Sequence, residues 1–132
     1  MYEKRARGRK AMPGLILVID DEEIIRMTSE EILRELGYDV LTAACGDEGI
    51  SILRGKGDAV SLVLLDMSMP GKSGRETYSE IKELIPSMKV LIASGYMNDN
   101  TFQIDRGGND GFIQKPYTLS ELSGKLSEIL QH

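Results

Sequence analysis

Leu62-Val63-Leu64-Leu65-Asp66-Met67-Ser68-Met69-Pro70-Gly71 is a run of four aliphatic residues that ends on a carboxylate and breaks into a turn. Such a run is too short for a helix and too uniformly apolar for a strand with one wet face, so it predicts a buried central strand of a parallel sheet. Asp66 then stands at the carboxyl end of that strand, where open α/β sheets bind their ligands. The residues alone leave a second reading open, an Asp that ends a strand and starts a turn ahead of Pro70-Gly71.

The same grammar recurs on either side. Residues 15–19 are five aliphatics followed by Asp20-Asp21-Glu22-Glu23, a second buried strand stopping at acids. From Glu22 a helical period takes over, with Ile25, Ile32 and Leu36 as its apolar face and Gly37 as its stop. Residues 38–43 read as a strand, 46–53 as a weaker helix with Ile50 and Leu53 inward, and 55–58 as a loop. Cys45, after an apolar stretch, reads as a small buried thiol.

Beyond Asp66, residues 69–74 form a turn-rich loop, and Ser73 with Glu76 predicts a capping box for a helix carrying Tyr78, Ile81, Leu84 and Ile85 up to Pro86. Residues 89–93 are a further aliphatic strand, ending at Ser94-Gly95. A short helix over 98–105 and a glycine-rich turn over 106–109 follow. Residues 111–114 are a strand ending at Lys115-Pro116, and Thr118 with Glu121 predicts a second capping box. The last helix offers Leu119, Leu122, Leu126 and Ile129 to the core. Strand and helix alternate five times with no hairpin-length connection, which predicts an α/β fold with a parallel sheet covered on both faces.

Length and composition agree with that class. The 132 residues suit one domain, with 41% hydrophobic and 28% charged residues and no apolar run near the roughly 18 needed to span a membrane. Lys4, Arg5, Arg7, Arg9 and Lys10 against Glu3 give the first ten residues +4, leaving −9 of the total −5 for the rest. An acidic body argues against nucleic acid as a partner. Residues 1–14 read as a disordered basic tail or linker and 15–131 as the domain. A lone cysteine and a tail without an apolar segment suit a cytoplasmic location.

In this fold the strand ends bring together Asp20, Asp21, Asp66, Ser94 and Lys115. Taken singly, each has a plain reading as dipole complement, turn or solvated cation. Taken together, two carboxylates at about 4 Å repel by roughly 4 kcal/mol at an effective dielectric of about 20, so three either hold protons or hold a cation. Hard oxygen donors point to Mg²⁺, and zinc is effectively excluded because the only histidine is the terminal His132 and the only cysteine is Cys45. A carboxylate beside a metal and a lysine can act as a nucleophile toward phosphorus. No G-x-x-x-x-G-K-S/T loop is present, so the phosphoryl donor is expected to be another phosphorylated group rather than a nucleotide bound by this domain.

With Asp20-Asp21-Glu22, Leu64-Leu65-Asp66-Met67-Ser68-Met69-Pro70-Gly71, Ser94-Gly95 and Lys115-Pro116 in this order, the chain resembles the response-regulator receiver domains of two-component signalling over residues 15–131. The resemblance implies a doubly wound, flavodoxin-like fold with five parallel strands in the order 2-1-3-4-5. It further implies that Asp66 is the phosphoacceptor, that Asp20 and Asp21 hold Mg²⁺, that the Ser68 backbone carbonyl completes the metal site, and that Lys115 contacts the phosphoryl group ahead of a cis Pro116. Ser94 and Phe112 would be the switch pair, with Phe112 also readable as a plain core residue.

The implied partner is a histidine kinase or a histidine phosphotransfer protein, with a downstream protein or a second copy docking on the 98–131 face. The enzymatic activity expected of such a domain is at most self-phosphorylation from a donor and autodephosphorylation, a kinase activity requiring a longer hybrid chain. A free-standing regulator and the receiver of a hybrid histidine kinase both fit, Ser94-Gly95-Tyr96 and the segment 111–117 resembling the latter. Two rivals remain. A flavodoxin-like flavin binder would need a phosphate cradle where Asp20-Asp21 stand. An Asp-nucleophile phosphohydrolase would place a second Asp where Ser68 stands.

Overall fold

The computed structural model describes residues 14–67, 74–95 and 110–130. The elements run β1 (Leu15–Ile19), α1 (Glu23–Glu35), β2 (Asp39–Ala43), α2 (Gly46–Lys56), a 3₁₀ turn (Gly57–Ala59), β3 (Val60–Asp66), α3 (Gly74–Leu84), β4 (Lys89–Ser94), β5 (Asp110–Gln114) and α4 (Leu119–Leu130). The five strands form one parallel sheet in the order β2-β1-β3-β4-β5. That is the doubly wound order the resemblance implies, with β3 at the centre. The expected helix at 98–105, the turn at 106–109, the loop at 69–73 with its Ser73 cap, and the tail up to residue 13 lie outside the described residues.

Alternation along the strands builds the core twice. Leu17, Ile19, Val63, Leu65, Val90 and Ile92 face α2 and α3, where Ile50, Leu53 and Ile81 meet them. Ile16, Val18, Leu62, Leu64, Leu91 and Ala93 face α1 and α4, where Leu33, Leu122, Leu126 and Ile129 meet them. Each such side chain contributes roughly 1.5–3 kcal/mol when fully buried. This two-faced burial is why the strands read as unbroken aliphatic runs.

Several local expectations are corrected. Helix α2 continues through Gly55 and Lys56, placing Arg54 and Lys56 in its last turn where cations suit the dipole, and only then tightens into the 3₁₀ turn. The inner face of α1 is made by Ser29 and Leu33, with Ile25, Ile32 and Leu36 half-buried along its flanks. Leu84 and Leu119, expected inside, are 37% and 38% exposed, because they sit on the last turn of α3 and the first residue of α4, beyond the sheet's cover. Cys45 is exposed rather than buried, since it is the extended residue that leaves β2 and precedes α2.

Other local signals hold. Gly37 ends α1 with φ of +101°, the left-handed conformation that glycine takes without a Cβ clash. The Thr118–Glu121 capping box forms reciprocally: the Thr118 amide donates to the Glu121 carboxylate at 2.9 Å and the Glu121 amide to the Thr118 hydroxyl at 3.1 Å. Among the described residues no helix is long and apolar enough to cross a membrane.

Candidate functional site

Parallel strands end on one edge, so the residues that follow them are neighbours in space. The ladder bonds carry on past the strands: the Asp20 amide donates to the Ala43 carbonyl, Met67 to Ala93, and Lys115 to Ser94. Asp20, Asp66, Ser94 and Lys115 thereby stand on or beside hydrogen-bonded backbone. Asp20 is 3% exposed, Asp66 2% and Ser94 4%. Gly74 opens α3 against this edge, and a Cβ there would lie 2.8 Å from the Asp66 carbonyl and 2.6 Å from Met67 Cα. Only a residue without a side chain allows the helix to start so close to the backbone that leaves β3.

Carboxylate oxygens of Asp20, Asp21 and Asp66 all lie within 4.8 Å of one another. Into this cluster reaches Lys115, whose ammonium is 2.9 Å from Asp66 Oδ1 and 3.2 Å from Asp20 Oδ2. Burial holds the Asp20 carboxyl above its ordinary range, the Asp66 charge adding to the effect and the Glu22 amide and Lys115 opposing it. Burial and then the Asp66 carboxylate raise Asp21 as well. For Lys115, burial acts to lower the ammonium, but the Asp66 carboxylate and then Asp20 outweigh it and leave it raised.

With three carboxylates and one lysine ionised, the cluster carries two net negative charges. Hard oxygen donors with that balance fit a divalent cation, which would offset the burial, and the smaller Asp66 repulsion, that raise Asp20 and Asp21. Asp20, Asp21 and Asp66 are the residues able to hold it. Ser68, the expected carbonyl donor, lies outside the described residues.

Phe112 is half-buried and packs on the α2–α3 side of the sheet in the cluster containing Val90 and Ile92. It also lines a groove of about 410 Å³ between β5 and α4. The Lys115-Pro116 bond is cis.

The sequence and the fold are matched elsewhere. Residues 16–127 match the response regulator receiver domain family. The chain belongs to that family. It is 31% identical to the sensor kinase CckA of Brucella abortus over 98% of its own length and 14% of that protein's. Against the curated relatives it matches, the chain spans less than half of their length. Among solved structures, a response regulator receiver domain protein from Clostridium thermocellum superposes with a TM-score of 0.81 at 31% identity, covering 90% of this chain and 95% of that one. The response regulator TrrA of Thermotoga maritima, solved in complex with Mg²⁺ and BeF, gives 0.78 at 31% identity over 89% of this chain and all of that one.

Three sets of contacts went unread in the sequence, two at this receiver's functional edge and one at the opposite end of the sheet. The Arg26 guanidinium donates to the Asp20 carbonyl at 2.8 Å. The Ser29 and Tyr117 hydroxyls meet at 2.6 Å across 88 residues. Burial raises the Tyr117 phenol, the Ser29 bond partly offsetting it, so both partners are neutral hydroxyls. Asp110, at the start of β5, accepts from the Tyr78 hydroxyl and from the Val90 amide at 3.0 Å, and pairs with Lys82 at 2.9 Å. A helical position that is polar and still on the inner face, as Ser29 is between Ile25 and Leu33, was the available signal for the second of these.

Proposed function

We propose that Asp66 accepts a phosphoryl group from a phosphohistidine on a histidine kinase or histidine phosphotransfer protein. The observation that carries this is the buried Asp66 carboxylate held between Asp20, Asp21 and Lys115. An Asp66 oxygen attacks phosphorus, the P–N bond to the imidazole breaks, and the leaving nitrogen keeps the electron pair. Lys115 is placed to follow the charge onto the phosphoryl oxygens, and the low exposure of the site strengthens that interaction. Asp20, Asp21 and Asp66, with the Ser68 carbonyl, would hold Mg²⁺, which would supply charge neutralisation on the transferring group. Water then hydrolyses the acyl phosphate, its P–O bond breaking to release inorganic phosphate and return the Asp66 carboxylate.

Ser94 and Phe112 serve as the switch pair. Ser94 ends the strand next to Asp66, and Phe112 pairs with Ile92 on the strand beyond, so a hydroxyl drawn toward the phosphoryl group leaves space that an aromatic on β5 can take. The face over residues 98–131 would then be remodelled for a downstream protein or a second copy. Residues 1–14 serve as a linker or tail, and the domain acts in the cytoplasm. Incubation with acetyl phosphate and Mg²⁺ tests the acceptor role: intact mass should rise by one phosphoryl group in the wild type. Labelling that proceeds as fast in excess EDTA would remove the metal from this reading.

A further inference from the structure

Helix α1 reaches the functional edge at two points. Arg26 holds the carbonyl of Asp20 at 2.8 Å, and Ser29, three residues on and therefore on the same face, holds the hydroxyl of Tyr117 at 2.6 Å. Tyr117 stands two residues after Lys115, in the turn between β5 and α4. That turn is fixed before Tyr117 by the Lys115 amide on the Ser94 carbonyl at 2.8 Å, and after it by the Thr118–Glu121 capping box. The Tyr117 hydroxyl ties its middle to α1. One helix thus sets the backbone that carries Asp20 and the turn that carries Lys115, and the Lys115 ammonium bridges Asp20 and Asp66.

Ser29 has no other evident reason to be where it is. It is 2% exposed on the inner face of a helix whose next inward residue is Leu33, a place where an aliphatic residue packs better and a hydroxyl must find a partner. Tyr117 is that partner. Lysine has a long stem with about 2 kcal/mol of rotamer entropy, so its ammonium is placed only as well as the backbone beneath it is fixed.

We propose that Ser29 and Tyr117 are a positioning pair for Lys115, holding its turn against α1 so that the ammonium stays over Asp66 during phosphoryl transfer. This rests on Asp66 being the acceptor. Tyr117→Phe, which keeps the ring and removes the hydroxyl, should slow labelling of the full chain by acetyl phosphate about fivefold at saturating Mg²⁺, equivalent to about 1 kcal/mol at 1.36 kcal/mol per decade. The same substitution made in Lys115→Ala should change the rate by less than about 1.5-fold, because a residue acting through Lys115 loses its effect when Lys115 is gone. Ser29→Ala should reproduce the loss, and Ser29→Thr, which keeps a hydroxyl, should restore most of it. An equal loss in both backgrounds, no loss in the wild-type background, or failure of Ser29→Thr to recover over Ser29→Ala would overturn the proposal. Unlabelled wild type, or labelled Asp66→Asn, would instead overturn the acceptor assignment beneath it.

Discussion

Lys115 Nζ lies 2.9 Å from Asp66 Oδ1, so the carboxylate proposed as the acceptor already has a cation on it. That lysine and a divalent metal draw on the same negative charge and therefore oppose each other's binding. Lys115→Ala should tighten Mg²⁺ binding several-fold while slowing labelling, a pairing that a merely misfolded site would not give. Mg²⁺ titration followed by amide shifts reads the first effect, and unchanged affinity would contradict it.

The raised Asp20 and Asp21 carboxyls carry a stability consequence whose direction is opposite to that of an ordinary salt-bridged acid. Both hold protons more tightly in the folded domain than at the free value of 3.8, so at neutral pH their ionised forms work against folding. Without metal, Asp20→Asn should stabilise the domain at pH 7, and the gain should shrink as pH falls through the raised folded-state range toward 3.8. Urea unfolding in EDTA at several pH values checks this. A gain that grows on acidification would contradict it.

Mg²⁺ should reverse that penalty by binding the native state alone. At a hundredfold excess over its dissociation constant the ion should add about 2.7 kcal/mol to unfolding free energy. Asp21→Asn should lose most of this increment even where its metal-free stability is at least that of the wild type. An increment of equal size in the variant at the same Mg²⁺ concentration would take Asp21 out of the metal site.

Asp110 is a structural counterpart to the site. Its side chain is fully buried and shared between Lys82, the Tyr78 hydroxyl and the Val90 amide, joining α3 and β4 to the start of β5. Asp110→Ala should cost about 3 kcal/mol, because it leaves a largely buried ammonium without its counter-charge, bonded to the Met88 carbonyl, and a buried amide without its acceptor. Adding Lys82→Met should recover part of the loss, and additive losses in a denaturant series would contradict the pairing.

The contrast between Asp66 and Asp110 explains what the sequence disclosed. Asp66 was legible because a parallel strand buried on both faces is written as an unbroken aliphatic run, and its end marks the ligand edge. Asp20 and Ser94 were legible for the same reason, each following such a run, whereas Lys115 follows a short edge strand, Asp110–Gln114, and was marked by the Lys115-Pro116 pair after it. Asp110 fell between the turn expected at 106–109 and the strand expected at 111–114, since its partners Tyr78 and Lys82 are about thirty residues away and no local period connects them. The Ser29–Tyr117 bond is likewise a tertiary pairing. Helix faces were misjudged where cover decides burial: Leu84 and Leu119 fit the apolar stripe but lie past the sheet, and Cys45 follows an apolar stretch yet sits on the solvent side of a helix start.

Ser94 should matter to the readout more than to the chemistry. Ser94→Ala should still be labelled, but its amide shifts on adding beryllofluoride should stay near Asp66, while those of the wild type extend over residues 98–122. Equal long-range shifts in both proteins would remove Ser94 from the switch and leave Phe112 as a core residue.

The most direct measurement of the central claim is chemical location of the phosphoryl group. After treatment with acetyl phosphate and Mg²⁺, borohydride reduces an aspartyl phosphate to homoserine at the acceptor position, which peptide mass spectrometry reads residue by residue. Homoserine at position 66 alone, and at no position in Asp66→Asn, is the predicted result. Homoserine at position 20 or 21 in the wild type, or a phosphoryl group retained by Asp66→Asn, would contradict it.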